Sequence, residues 1–138
     1  MRYFFLDTNV LFNYLGRREP YGAAAAELFQ AAYEGKATLY VASLSFSHTF
    51  YTLRKQVGAV VAREALRKLA RLVRVAAVDA VVVQQALDSD FADAEDAMQY
   101  FAAASQGAIE AIVTGDSKWF KQGRLAVISP VEAQALVG

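Results

Sequence analysis

The sequence predicts an α/β fold, a three-layer α/β/α sandwich with a short, mostly parallel central sheet. Two observations predict it. Short apolar runs alternate along the chain with segments of helical length and composition, and a parallel connection needs a crossover long enough to hold a helix. No internal repeat, low-complexity tract or linker interrupts that alternation, so residues 1–138 are read as one domain, close to the common domain size of about 100–150 residues.

Taken in order, the first apolar run is Tyr3 to Leu6, ended by Asp7-Thr8-Asn9. A helix is expected near 20–35, with Pro20 at its start, where a missing N–H costs nothing. Leu39 to Ala42 reads as the second strand, and helices follow near 44–57 and 59–72. Val73 to Val78 is the third strand. Helices near 79–90 and 94–106 come next, the latter with Ala97, Phe101, Ala104 and Ala108 at helical spacing. Ile109 to Thr114 and Leu125 to Ile128 complete the strands, and Pro130 precedes a short last helix.

Composition narrows the function classes. The chain has no cysteine, which excludes disulfides, thiolate zinc sites and a cysteine nucleophile and fits a reducing compartment. No run of 18 apolar residues exists, and Asp7 breaks the N-terminal apolar stretch, so neither a spanning helix nor a secretory signal is expected and the cytoplasm is the default location. The apolar share is 56%, above the usual 45 to 50% or so, which suggests that some apolar surface meets a partner. Fourteen basic residues balance fourteen acidic ones, against a nucleic-acid binder held by net charge alone. The charges are nevertheless segregated. Arg54, Lys55, Arg63, Arg67, Lys68, Arg71 and Arg74 fall together, whereas Asp79, Asp88, Asp90, Asp93, Glu95 and Asp96 follow with no Lys or Arg before Lys118.

In open α/β sheets the working crevice lies beyond the carboxyl ends of the strands, so the residues just after each run are the first to inspect. Asp7 follows the first run. Thr114-Gly115-Asp116 closes the fourth, and Asp93, Glu95 and Asp96 open the helix near 94–106. Each feature alone has a local explanation as a turn, a helix cap or a favourable charge at a helix N-terminus. Together, parallel connectivity could bring Asp7, Asp116 and one acid of the 93–96 turn to one edge. Converging carboxylates repel unless a cation binds, and oxygen ligands select hard Mg²⁺ or Mn²⁺. Such an ion would lower the pKa of water and shield a phosphodiester's developing charge, so phosphodiester hydrolysis is the leading chemistry.

With these residues in view, the chain resembles the PIN-domain family of metal-dependent nucleases, which includes the VapC-type toxins of bacterial toxin–antitoxin pairs. The resemblance rests on Phe4-Phe5-Leu6-Asp7-Thr8-Asn9, on Val41 to Phe46 leading into a helix, on Asp93 to Tyr100, and on Ile112-Val113-Thr114-Gly115-Asp116 through Phe120. It implies a PIN-like, Rossmann-like sandwich, an RNA substrate, a homodimer and a small antitoxin partner. It also implies Asp7, Asp96 and Asp116 as metal ligands, with Asp93 in reserve for Asp96. Asn9 would help to organise the site, and Thr114 supplies a hydroxyl common there.

One departure from the family pattern stands out. Where many members carry a glutamate on the helix after the second strand, this chain has His48. An imidazole could ligate Mn²⁺, orient water or bind phosphate once protonated, but it adds no negative charge. Two functions from different classes therefore stand side by side: a metal-dependent endoribonuclease, and a weak or silent PIN-like module that binds RNA or a protein. A small-molecule phosphatase is disfavoured, since no glycine-rich phosphate loop follows the first strand. Arg63, Arg67, Arg71 and Arg74 form a solvated face or an RNA contact, and Tyr14, Trp119 and Phe120 are stacking candidates.

Overall fold

Side chains alternate across a strand, and in the first strand Phe4 and Leu6 lie on one side and Phe5 on the other, all fully buried. A strand buried on both sides needs a cover on each face. The computed structural model, which describes residues 1–116 and 123–138, shows both covers. Strands β1 (Arg2–Leu6), β2 (Ala37–Ala42), β3 (Val73–Ala76), β4 (Ala111–Val113) and β5 (Ala126–Ile128) form one sheet in the order β3-β2-β1-β4-β5. Every neighbouring pair is parallel.

The helices are α1 (Thr8–Leu15), α2 (Gly22–Tyr33), α3 (Ser43–Val57), α4 (Ala59–Leu72), α5 (Ala80–Leu87), α6 (Ala94–Ala104) and α7 (Pro130–Val137). On one face Phe4, Leu6, Leu39, Val41 and Val113 pack with Val10 and Leu11 of α1, Leu28 and Phe29 of α2, Leu69 of α4 and Ala133 of α7. On the other, Phe5, Tyr40 and Ile112 pack with Val82 of α5 and Tyr100, Ala102 and Ala103 of α6. The three-layer α/β/α sandwich is thus present, with a wholly parallel sheet. No described helix is long and apolar enough to cross a membrane.

The elements depart from expectation in two places. The sequence reading assigns no helix between Asn9 and Pro20, yet α1 fills Thr8–Leu15; Val10, Leu11 and Tyr14 carry its helical spacing. The third strand, expected through Val78, ends at Ala76. Its only ladder partner, β2, gives way to α3 after Ala42, and the Val78 N–H turns to Ser43 Oγ at 3.0 Å instead.

Chain progression runs outward from β1 through β2 to β3, then jumps back to place β4 on the other side of β1. The gap above β1 and β4 is therefore the topological switch point where ligands enter such sheets. Leu6 pairs in register with Val113, so Asp7 and Thr114 emerge side by side.

Candidate active site

Asp7 has extended backbone (φ −61°, ψ 151°) and takes the N-cap position of α1, but its side chain makes no capping bond. It is held across the switch point instead. Its N–H donates to Val113 O at 3.0 Å, and Thr114 Oγ1 donates to its Oδ2 at 2.8 Å. The same Thr114 oxygen accepts the Asp116 N–H at 3.1 Å, so one hydroxyl links the acids after β1 and β4. Asp7 is only 5% exposed. Burial pushes its carboxyl above the ordinary carboxylate range, the Thr114 and Gln99 side chains act against that shift, and the Glu95 charge adds to it.

Asp96, half-buried in the first turn of α6, is pushed up to about 7. Burial is the largest cause, followed by the charges of Asp7, Asp93, Glu95 and Asp116. Coulombic influence fades with distance and solvent, so a carboxyl that feels all four belongs to one electrostatic neighbourhood with them. Asp93 has a local task as well: its Oδ1 caps α6 by accepting the Asp96 N–H at 3.0 Å. The capping explanation therefore describes Asp93, while Asp96 faces the cluster.

Beneath Asp7 lies a polar layer to which the sequence reading assigns no role. Thr8 N–H donates to Gln99 Oε1 at 3.1 Å, and Thr8 Oγ1 lies 2.6 Å from Ser45 Oγ. All three residues are buried. Gln99 follows Asp96 by three positions and so shares its helix face, which is the one sequence signal available. Asn9 Oδ1 is buried and has no hydrogen-bond partner among the described residues.

His48, on α3, does not stand alone. Its Nδ1 lies 2.8 Å from Glu95 Oε1, and its ring meets Phe12 edge-on with centroids 5.6 Å apart. Arg63, Arg67, Arg71 and Arg74 are all exposed, and Arg67 pairs with Glu64 at 3.1 Å. Tyr14 is stacked on Phe29 at 4.1 Å, so one face of its ring is already covered. Trp119 and Phe120 lie outside the described residues. A cavity of about 980 Å³ near Val82, Phe91 and Phe101 has none of the clustered acids in its wall.

The donor set fits a hard divalent cation. Asp7 and Asp96 are both driven toward their protonated forms, and among the described residues no Lys or Arg pairs with either of them. A cation relieves that excess of negative charge. Among the described residues no three Asp, Glu or His side chains form a ready-made ion cage, but Mg²⁺ commonly keeps several waters and uses only one or two carboxylates.

A wholly parallel sheet of this order, with carboxylates gathered at its switch point, defines an α/β protein with an acidic crevice. The chain belongs to the PIN domain family, whose model matches residues 3–118. That is a family of nucleases. Among solved structures, the fold is similar to DNA-bound VapBC from Salmonella typhimurium (TM-score 0.70, 17% identity, covering 94% of this chain and 99% of that one). It is similar also to VapC20 from Mycobacterium tuberculosis, a sarcin–ricin loop cleaving toxin (0.66, 20%, 88% and 96%). A toxin–antitoxin complex from Klebsiella pneumoniae gives 0.62, 18%, 91% and 96%. No curated protein matches the sequence.

Proposed function

We propose that this protein is an endoribonuclease dependent on Mg²⁺ or Mn²⁺, working in the cytoplasm as the toxin of a toxin–antitoxin pair. The observation that carries the reading is the pairing of a buried Asp7, fixed by Thr114, with an Asp96 whose carboxyl is raised to about 7. When bound, the cation supplies charge stabilisation to the phosphodiester and lowers the pKa of water. Asp7, Asp96 and Asp116 would hold it. Thr114 fixes the rotamer of Asp7 and ties down the backbone at Asp116. Asn9 offers a buried amide oxygen, and His48 stands at the rim to orient the substrate.

RNA is favoured as substrate because VapC20 is a toxin that cleaves an RNA loop. An antitoxin is favoured by the toxin–antitoxin complex of like fold and by an apolar groove of about 450 Å³ between α1 and α4, lined by Tyr14, Leu15, Val60, Val61, Leu69 and Leu72. Val60 is 84% exposed there. Homodimerisation is part of the same proposal.

The test is cleavage of structured and unstructured RNAs by the antitoxin-free protein with Mn²⁺, beside an Asp7→Asn variant. Equal cleavage by both would remove the assignment. A second reading, a silent module that binds RNA or protein, draws on His48 at the place of a family glutamate. Retained RNA binding without Mn²⁺ binding, measured by calorimetry, would favour it.

A further inference from the structure

Glu95 sits in the first turn of α6, between an acid that caps the helix and an acid that faces the cluster. Nothing local fixes its direction. His48 does so from another element, with Nδ1 2.8 Å from Glu95 Oε1. An ionised carboxylate only accepts hydrogen bonds, so the ring donates Nδ1–H in either of its charge states. The ring is itself backed by the edge-to-face contact with Phe12. The Glu95 charge reaches both Asp7 and Asp96, since it contributes to the raised carboxyl of each.

We propose that Glu95, aimed by His48, is the fourth carboxylate of the crevice, so that the charge carried on α3 by many PIN relatives is carried here on α6. On this reading His48 is a positioning residue that acts through Glu95, and the chain keeps the negative charge its sequence pattern suggests is lost. The proposed ligand is a hydrated divalent cation, and the buried, unpartnered Asn9 Oδ1 is an independent acceptor of the kind its water shell uses. The inference rests on the metal-dependent reading above.

Both side chains are close to half exposed, 47% for His48 and 44% for Glu95, so substitutions here leave the core intact. The experiment is calorimetric titration of MnCl₂ into the intact protein and into Asp7→Asn, Glu95→Gln, His48→Gln and the exchange His48→Glu/Glu95→Gln, with melting in EDTA to check folding. Glu95→Gln should weaken Mn²⁺ binding about tenfold, in the range that supporting groups of metal sites show. His48→Gln, which keeps a donor, should lose less, and the exchange should recover most of the affinity. Wild-type affinity in Glu95→Gln, or an exchange no better than Glu95→Gln alone, overturns the inference. If Asp7→Asn loses Mn²⁺ while Glu95→Gln keeps it, this inference fails alone; if wild type itself binds none, the metal-dependent reading fails with it.

Discussion

Thr114 donates its hydroxyl hydrogen to Asp7 Oδ2 over 2.8 Å, joining two residues 107 positions apart. The bond spans the switch point between β1 and β4, and it gives a buried carboxylate the partner that burial demands. Because the same oxygen accepts the Asp116 N–H, a change at Thr114 is felt at two acids together.

Replacing Asp7 by Asn should abolish cleavage without unfolding the protein. Loss of an ion that supplies several kcal/mol of transition-state stabilisation costs more than about a hundredfold in rate. The amide can still accept from Thr114, and it removes a charge that burial disfavours. In EDTA the variant should melt at or above the wild-type temperature. A clear drop in melting temperature would contradict the assignment of a desolvated, strained carboxylate.

Stability without metal should fall as pH rises. Asp96 has an ordinary value of 3.8 and is raised to about 7 in the fold, so between those values the native state binds more protons than the unfolded chain. The difference ν_U − ν_N is then negative, and stability declines with pH. The contribution is complete below about 3.8 and gone once pH passes about 7; Asp7 shifts in the same sense. In EDTA, the melting temperature of wild type relative to Asp96→Asn should decrease from pH 5 to pH 8. Saturating Mn²⁺ should oppose that trend by replacing the proton.

Thr114→Val removes the donor to Asp7 and the acceptor for Asp116 N–H. Leaving buried polar groups unpaired costs about 1–3 kcal/mol, and disturbing the orientation of a ligand costs about 10–100-fold in metal affinity. Thr114→Ser keeps the hydroxyl and should restore both. Urea unfolding and Mn²⁺ titration check the pair; equal behaviour of Val and Ser would show that the hydroxyl is idle.

Gln99→Leu should destabilise the fold by about 1–3 kcal/mol, because the buried Thr8 N–H loses its acceptor. The midpoint of urea unfolding reads this directly. An unchanged midpoint would mean that Thr8 finds another partner, with Ser45 the nearest side chain already bonded to it.

Much of this architecture is legible in the amino-acid order. The apolar runs ending at Leu6, Ala42 and Val113 are buried strands and could be read as such, because a strand covered on both faces needs a continuous apolar run. Asp7 and Asp116 could be singled out because each follows such a run. Helix α1 was not legible as a separate element. Its eight residues offer little periodicity, and Asp7-Thr8-Asn9 looks like a turn. Asp93 and Asp96 could not be told apart either, since both are acids at one helix start. Only the bond from Asp96 N–H to Asp93 Oδ1 separates the cap from the residue that faces the crevice.

By itself, then, the order of residues determined the layered α/β class, the parallel connectivity and the strand ends at which acids emerge. These follow from local pattern and from the crossover length that parallel pairing requires. Tertiary structure alone decided which side chains meet: Thr114 with Asp7, Gln99 with Thr8, and His48 with Glu95. Pairings between elements depend on register and helix rotation, and the excess charge of a carboxyl such as Asp96 exists only once its distant neighbours are folded around it.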